Sequence, residues 1–130
     1  MTQAALAPAL QDIHRQFETA FNAGDIDAML ALYEPEAVFV APGGEILRGH
    51  DEIRGAFEPM FASGAKIRLE TAGIIEGTDG LVLMHGCWTL TGTQPDGSPT
   101  ESKGTSAEVL RRHNDGFWRY AVDNPFVPVT

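Results

Sequence analysis

The chain has 130 residues, 43% hydrophobic and 21% charged, which suits one domain (residues 1–130) around one core and leaves too little chain for two. Its formal net charge of −9 repels phosphate backbones and anionic headgroups, which argues against nucleic-acid and membrane partners but not against a neutral or cationic small ligand. The one cysteine, Cys87, allows no internal disulfide, no apolar run is long enough to span a bilayer, and residues 1–8 lack the basic start and apolar run of a leader, so a cytoplasmic location is expected.

In chain order, helices come first. Leu10, Ile13, Phe17, Ala20 and Phe21 recur at spacings of three and four and make one apolar face. Asn22-Ala23-Gly24 ends that helix, with Gly24 as the left-handed cap, and Asp25 caps a second, short helix. The second helix has Ile26, Met29, Leu30 and Tyr33 on its apolar face and stops before Pro35. Residues 37–41 read as a short strand, Pro42-Gly43-Gly44 as a turn, and Glu45 to Arg48 as a returning partner. Gly49-His50-Asp51 opens a third helix with Ile53, Phe57, Met60 and Phe61 as its buried stripe, closed by Gly64.

Strands follow at 66–75, 81–93, 102–112 and 117–122, joined by segments rich in turn residues, the last of them Asn114-Asp115-Gly116. Consecutive hairpins make a meander, and helices gathered at one end of it define an α+β fold. A curled, mostly antiparallel sheet with three helices across its open side makes a cone around a pocket. In the last strand Trp118, Tyr120 and Val122 alternate with Phe117, Arg119, Ala121 and Asp123, and Pro125 ends the ladder. A carboxylate at the end of such a strand is costly unless it is solvated or partnered, so Asp123 is the first candidate for a function.

The order of elements, with Phe21-Asn22-Ala23-Gly24-Asp25 and Leu32-Tyr33-Glu34-Pro35-Glu36-Ala37-Val38, resembles the nuclear transport factor 2-like superfamily and its SnoaL-like and ketosteroid-isomerase-like members. The resemblance runs from about Leu10 to Phe126 and implies the cone fold. It does not by itself imply an activity, because this fold hosts isomerases, cyclases, dehydratases, hydrolases and non-enzymatic modules. In the isomerases an aspartate moves the proton while a tyrosine and a protonated acid hold the oxyanion. Carried over by motif, the base falls on Ala41 before Pro42, the tyrosine on Phe17, and the acid on or within two residues of Glu108. Neither alanine nor phenylalanine can serve those roles, so the resemblance does not extend to the standard isomerase mechanism.

Glu108 and Asp123 lie on neighbouring strands of the last hairpin, where paired carboxylates in an apolar cavity can split acid from base roles. The alternative exposes both, with Glu108 opposite Arg119 or Arg111 and Asp123 capping the chain's end. His85 joins them as a catalytic candidate: the resemblance turns it toward the pocket, whereas Val82, Met84, Gly86, Trp88 and Leu90 form the more apolar face and turn it outward, toward a dimer interface. Phe17, Phe21, Tyr33, Val40, Phe57, Phe61 and Trp88 are the candidate pocket lining, with Tyr33 able to hold a ligand oxygen. His14 and Glu18 have the i, i+4 spacing of a chelate, but His50, His85 and His113 are scattered, so both read as exposed helix side chains and no metal is assigned. No nucleotide-binding or hydrolase motif occurs, and no cofactor is implied.

Two functions remain. One is a pocket protein for a small, largely apolar ligand; the other is a cofactor-independent acid/base enzyme acting on a carbonyl or polyketide-like compound. Either is expected as a homodimer through the sheet face the helices leave bare.

Overall fold

The computed structural model describes residues 3–127, with side chains from residue 9 onward; residues 1 and 2, part of the segment expected to hold no leader, lie outside the described residues, as do 128–130. Three helices, α1 (Gln3–Ala23), α2 (Ile26–Leu30) and α3 (Gly49–Ala62), accompany six strands: β1 (Tyr33–Val40), β2 (Ile46–Arg48), β3 (Lys66–Glu76), β4 (Leu81–Thr93), β5 (Pro99–Arg112) and β6 (Trp118–Asn124). All six strands form one sheet in the order β2-β1-β6-β5-β4-β3. The β1–β6 pair is parallel and every other pair antiparallel, as a mostly antiparallel α+β sheet requires.

The first helix closes where the turn residues put it. Gly24 takes φ +68°, the Asp25 N–H donates to the Ala20 carbonyl at 2.9 Å, and the Asp25 carboxylate accepts from the Ala28 N–H at 3.1 Å. The second helix is shorter than expected, and Tyr33 is not on it. Leu32 N–H closes the helix onto Met29, and Tyr120 N–H then donates to the Leu32 carbonyl at 2.8 Å, drawing Tyr33 into the sheet as the first residue of β1. Pro35, which has no N–H for a ladder, lies in the stretch where the β1–β6 register breaks, between Tyr33 and Val38.

Two further irregularities interrupt the ladder. One in β3 leaves Ala72 unpaired between Thr71 and Gly73; the other in β6 leaves Ala121 unpaired between Tyr120 and Val122. Helix α1 packs on β3 and α3 on β1, so the helices cover the concave side. Leu10, Phe17 and Phe21 of α1 meet Ile53 and Phe57 of α3 and Met84 of β4 in the core. The convex face is left without helices; there Ile75 and Val122 are exposed.

Candidate functional site

The site is built on β5 and β6. On β5, Ser106, Glu108 and Leu110 alternate inward and are buried. On β6, plain alternation from Trp118 and Tyr120 would carry Val122 inward and Asp123 outward. The bulge at Ala121 reverses that phase: Leu110 pairs with Tyr120, Val109 with Val122, and Glu108 with Asp123. Val122 is therefore exposed at 36%, while Glu108 and Asp123 are 3% and 6% exposed and face the same interior.

Each carboxyl has its own buried partner. His14 of α1, 1% exposed, sets Nε2 at 2.7 Å from Glu108 Oε1 and Nδ1 at 2.7 Å from Thr71 Oγ1 of β3. Against a carboxylate, which only accepts, Nε2 carries the hydrogen; in the neutral ring Nδ1 then accepts from the Thr71 hydroxyl. The Tyr33 hydroxyl donates to Asp123 Oδ2 at 2.5 Å, and the Tyr33 ring packs on Tyr120 with centroids 5.0 Å apart. Burial, and then the neighbouring Glu108, push the Asp123 carboxyl up to about 8, against the opposing pull of the Tyr33 hydrogen bond. At neutral pH Asp123 therefore holds its proton. Burial first, then Asp123, keeps the Tyr33 phenol well above its usual value.

Both carboxyls open onto a cavity of about 290 Å³. Its wall is chiefly aromatic and aliphatic, with Phe17, Phe21, Phe57, Leu69 and Trp88 among the lining side chains, and Ser106, Glu108 and Asp123 set into it. The Trp88 indole is itself fixed, its Nε1–H donating to the Pro125 carbonyl at 2.7 Å. Two carboxyls with different buried partners thus stand on adjacent strands in the wall of one chiefly apolar cavity.

A family model described as the SnoaL-like domain matches residues 13–121. The chain belongs to the SnoaL-like domain family. No curated protein matches the sequence. Among solved structures, a conserved protein from Planctomyces limnophilus is 20% identical with a TM-score of 0.86, over 98% of this chain and 100% of that one. A ketosteroid isomerase-like protein from Erwinia carotovora atroseptica is 21% identical with a TM-score of 0.78, over 93% and 96%. A domain of unknown function with a cystatin-like fold from Nostoc punctiforme is 21% identical with a TM-score of 0.80, over 100% of this chain and 81% of that one. At these identities the likeness is one of fold.

Within this SnoaL-like domain the residues singled out from sequence are distributed unevenly. Phe17, Phe21, Phe57 and Trp88 line the cavity; Tyr33 reaches the site through Asp123 and does not line the wall. Phe61 packs behind the wall, its ring 5.1 Å from Phe21. Val40 does not line the cavity, because alternation along β1 turns Phe39 inward instead. His85 is half-buried on the face opposite Met84 and Gly86, paired with Gly73 and Ala107, and is not brought to the carboxyls. The arginines placed opposite Glu108 are engaged elsewhere, Arg111 with Glu34 and Arg119 with Asp115.

The site residue sequence reasoning missed is His14. It is not an exposed helix side chain, and Glu18 is engaged separately on the same strand as Thr71, accepting from the Leu69 N–H at 3.5 Å. Among the described residues no three His, Cys, Asp or Glu side chains converge as a metal site. A signal was present, since Leu10, His14, Phe17 and Phe21 share the helical spacing of the apolar stripe.

Proposed function

We propose that this SnoaL-like domain, residues 1–130, binds a small, largely apolar carbonyl compound and moves a proton on it by cofactor-independent acid/base catalysis. The observation that carries this reading is the cross-strand pair Glu108–Asp123, buried in an apolar cavity with different partners on its two members. Glu108, oriented by His14, takes the proton from the carbon next to the carbonyl. Asp123, protonated and held by Tyr33, donates a hydrogen bond to the oxygen as charge develops there. Glu108 then returns the proton to the same or a neighbouring carbon, so no net charge is left in the cavity.

These roles differ from those of the ketosteroid isomerases, because Phe17 and Ala41 stand where that mechanism needs a donor and a base. The same two residues favour the second reading, a pocket protein that binds the ligand without turning it over. Exchange of α-hydrogens of 2-tetralone in D2O separates the two. The catalytic reading requires exchange above the buffer rate that Glu108→Gln abolishes and Asp123→Leu lowers by about 10²–10³. It also requires the rate to fall as pH rises through about 8, where Asp123 loses its proton. Binding of 2-tetralone without exchange sinks the catalytic reading and leaves the pocket protein.

The bare convex face supports a two-fold homodimer. Ile75 and Val122 are exposed there and Leu83 and Val109 half-buried, an apolar patch whose burial between two copies is favourable. The single thiol suits a reducing, cytoplasmic setting, and among the described residues no helix is long and apolar enough to cross a membrane.

A further inference from the structure

Three polar atoms in the cavity wall have no hydrogen-bond partner among the described residues. His14 occupies Glu108 Oε1 and the Tyr33 hydroxyl occupies Asp123 Oδ2, which leaves Glu108 Oε2 and Asp123 Oδ1 free. The third is the Tyr120 hydroxyl, whose ring packs on Tyr33 and Phe17 but whose oxygen meets no partner among the described residues. Of the described side chains only Ser106 has an unpaired polar atom sealed inside the protein. The other three are therefore open, and they open onto the cavity, because Glu108, Tyr120 and Asp123 are all buried and all line it.

The three belong to one cluster. Glu108 and Asp123 are cross-strand partners, and Tyr120, paired with Leu110, holds the inward position of β6 just before the Ala121 bulge. Tyr120 and Tyr33 start from paired positions on β6 and β1 and their rings pack together, so Tyr120 runs beside a ring whose hydroxyl reaches Asp123. Of the two, Tyr120 is the one in the cavity wall. Burial first, then Glu108 and Asp123, hold the Tyr120 phenol well above its usual value, so it stays a donor through the neutral range. On protonated Asp123 the carbonyl oxygen is the better acceptor, so Oδ2 takes the Tyr33 bond and Oδ1 carries the hydrogen. Two donors, the Tyr120 hydroxyl and Asp123 Oδ1–H, and one acceptor, Glu108 Oε2, thus face the same space.

We propose that the Tyr120 hydroxyl is the second hydrogen-bond donor to the ligand's carbonyl oxygen, alongside Asp123. This rests on the reading above and adds to it the group that fixes where the oxygen sits. A carbonyl oxygen has two lone pairs and takes both hydrogen bonds at once, and both strengthen as negative charge develops on it. With the oxygen held between Tyr120 and Asp123, the neighbouring carbon is presented to Glu108 Oε2. Tyr120 keeps its own proton throughout; only Glu108 takes one up and returns it. A hydrocarbon of the same size would leave both donors unpaired, so the cavity selects a ketone over its hydrocarbon counterpart.

The test is titration of 2-tetralone, isotopically labelled at its carbonyl carbon, into the wild-type protein and Tyr120→Phe, with the carbonyl stretch read by infrared difference spectroscopy. Tyr120→Phe keeps the ring and removes only the hydroxyl. Because that hydroxyl is unpaired, the ligand-free variant should melt no lower than wild type. The bound carbonyl band should lie at higher wavenumber in the variant, through loss of one hydrogen bond, while affinity falls by no more than about tenfold. Exchange of α-hydrogens at saturating 2-tetralone should fall by about 10²–10³. If the variant folds poorly, wild-type protein labelled at the tyrosine Cζ carbons decides: the chain has two tyrosines, and the Tyr120 resonance should move when 2-tetralone binds. A carbonyl band unmoved by Tyr120→Phe, or a Tyr120 resonance unmoved by the ligand, overturns the second donor and leaves the pocket reading intact. A band that moves in a protein showing no exchange upholds the donor and sinks the acid/base reading alone. If 2-tetralone does not bind at millimolar concentration, the pocket reading fails and the role of Tyr120 fails with it.

Discussion

Asp123→Asn is the sharpest perturbation of the site. Asparagine keeps the shape of the side chain and can still accept from the Tyr33 hydroxyl, but it has no proton to lose. In the wild type the carboxyl shifts from 3.8 to about 8 on folding. Between those values the folded chain keeps a proton that the unfolded chain releases, so the unfolded state binds fewer protons and stability falls as pH rises. The contribution is best below about pH 4 and has been lost by about pH 8. At about 1.4 kcal/mol per pH unit, up to about 3 kcal/mol separates pH 5 from pH 7, an upper bound because Glu108 shares the titration. For a chain of this size that is roughly 10 °C in melting temperature. Melting both proteins from pH 5 to pH 8 isolates the term, since all other groups titrate in both. The gap between variant and wild type should widen in favour of the variant as pH rises. Parallel curves would show that Asp123 ionises in the folded protein as it does in water, and the protonated-donor role would go with it.

Two further outcomes follow from the same geometry. His14→Ala leaves Glu108 buried without its partner and should cost about 3 kcal/mol in urea unfolding at neutral pH; a loss below about 1 kcal/mol would mean the carboxyl finds solvent. Val122→Asp places a charge on the bare face of β6, where it should convert a dimer to monomer in sedimentation at micromolar concentration while leaving the fold and the cavity unchanged, and a wild-type monomer would rule the interface out.

Much of the architecture could be read from local chemistry. Gly24 and Asp25 end one helix and start the next because a left-handed cap and a side-chain acceptor are properties of single residues. Asn114-Asp115-Gly116 places the last hairpin for the same reason, with Gly116 at φ +85°. The stripe of Leu10, Ile13, Phe17 and Phe21 shows which face of the first helix is buried. Tyr33 was harder: its spacing continues the short helix, and only the hydrogen bond from Tyr120, remote in sequence, draws it into the sheet.

The order of helices and strands, the turns between them and the stock of aromatic side chains are local properties, because each depends on neighbours within a few positions. Tertiary structure decided which side chains meet. His14 reaches Glu108 across 94 positions of chain, a pairing no local pattern encodes. The Ala121 bulge turns Asp123 inward and Val122 outward, against the alternation that precedes it. A strand's faces alternate with period two, so one unpaired residue exchanges them, and whether it is unpaired depends on the register with β5 rather than on the strand itself.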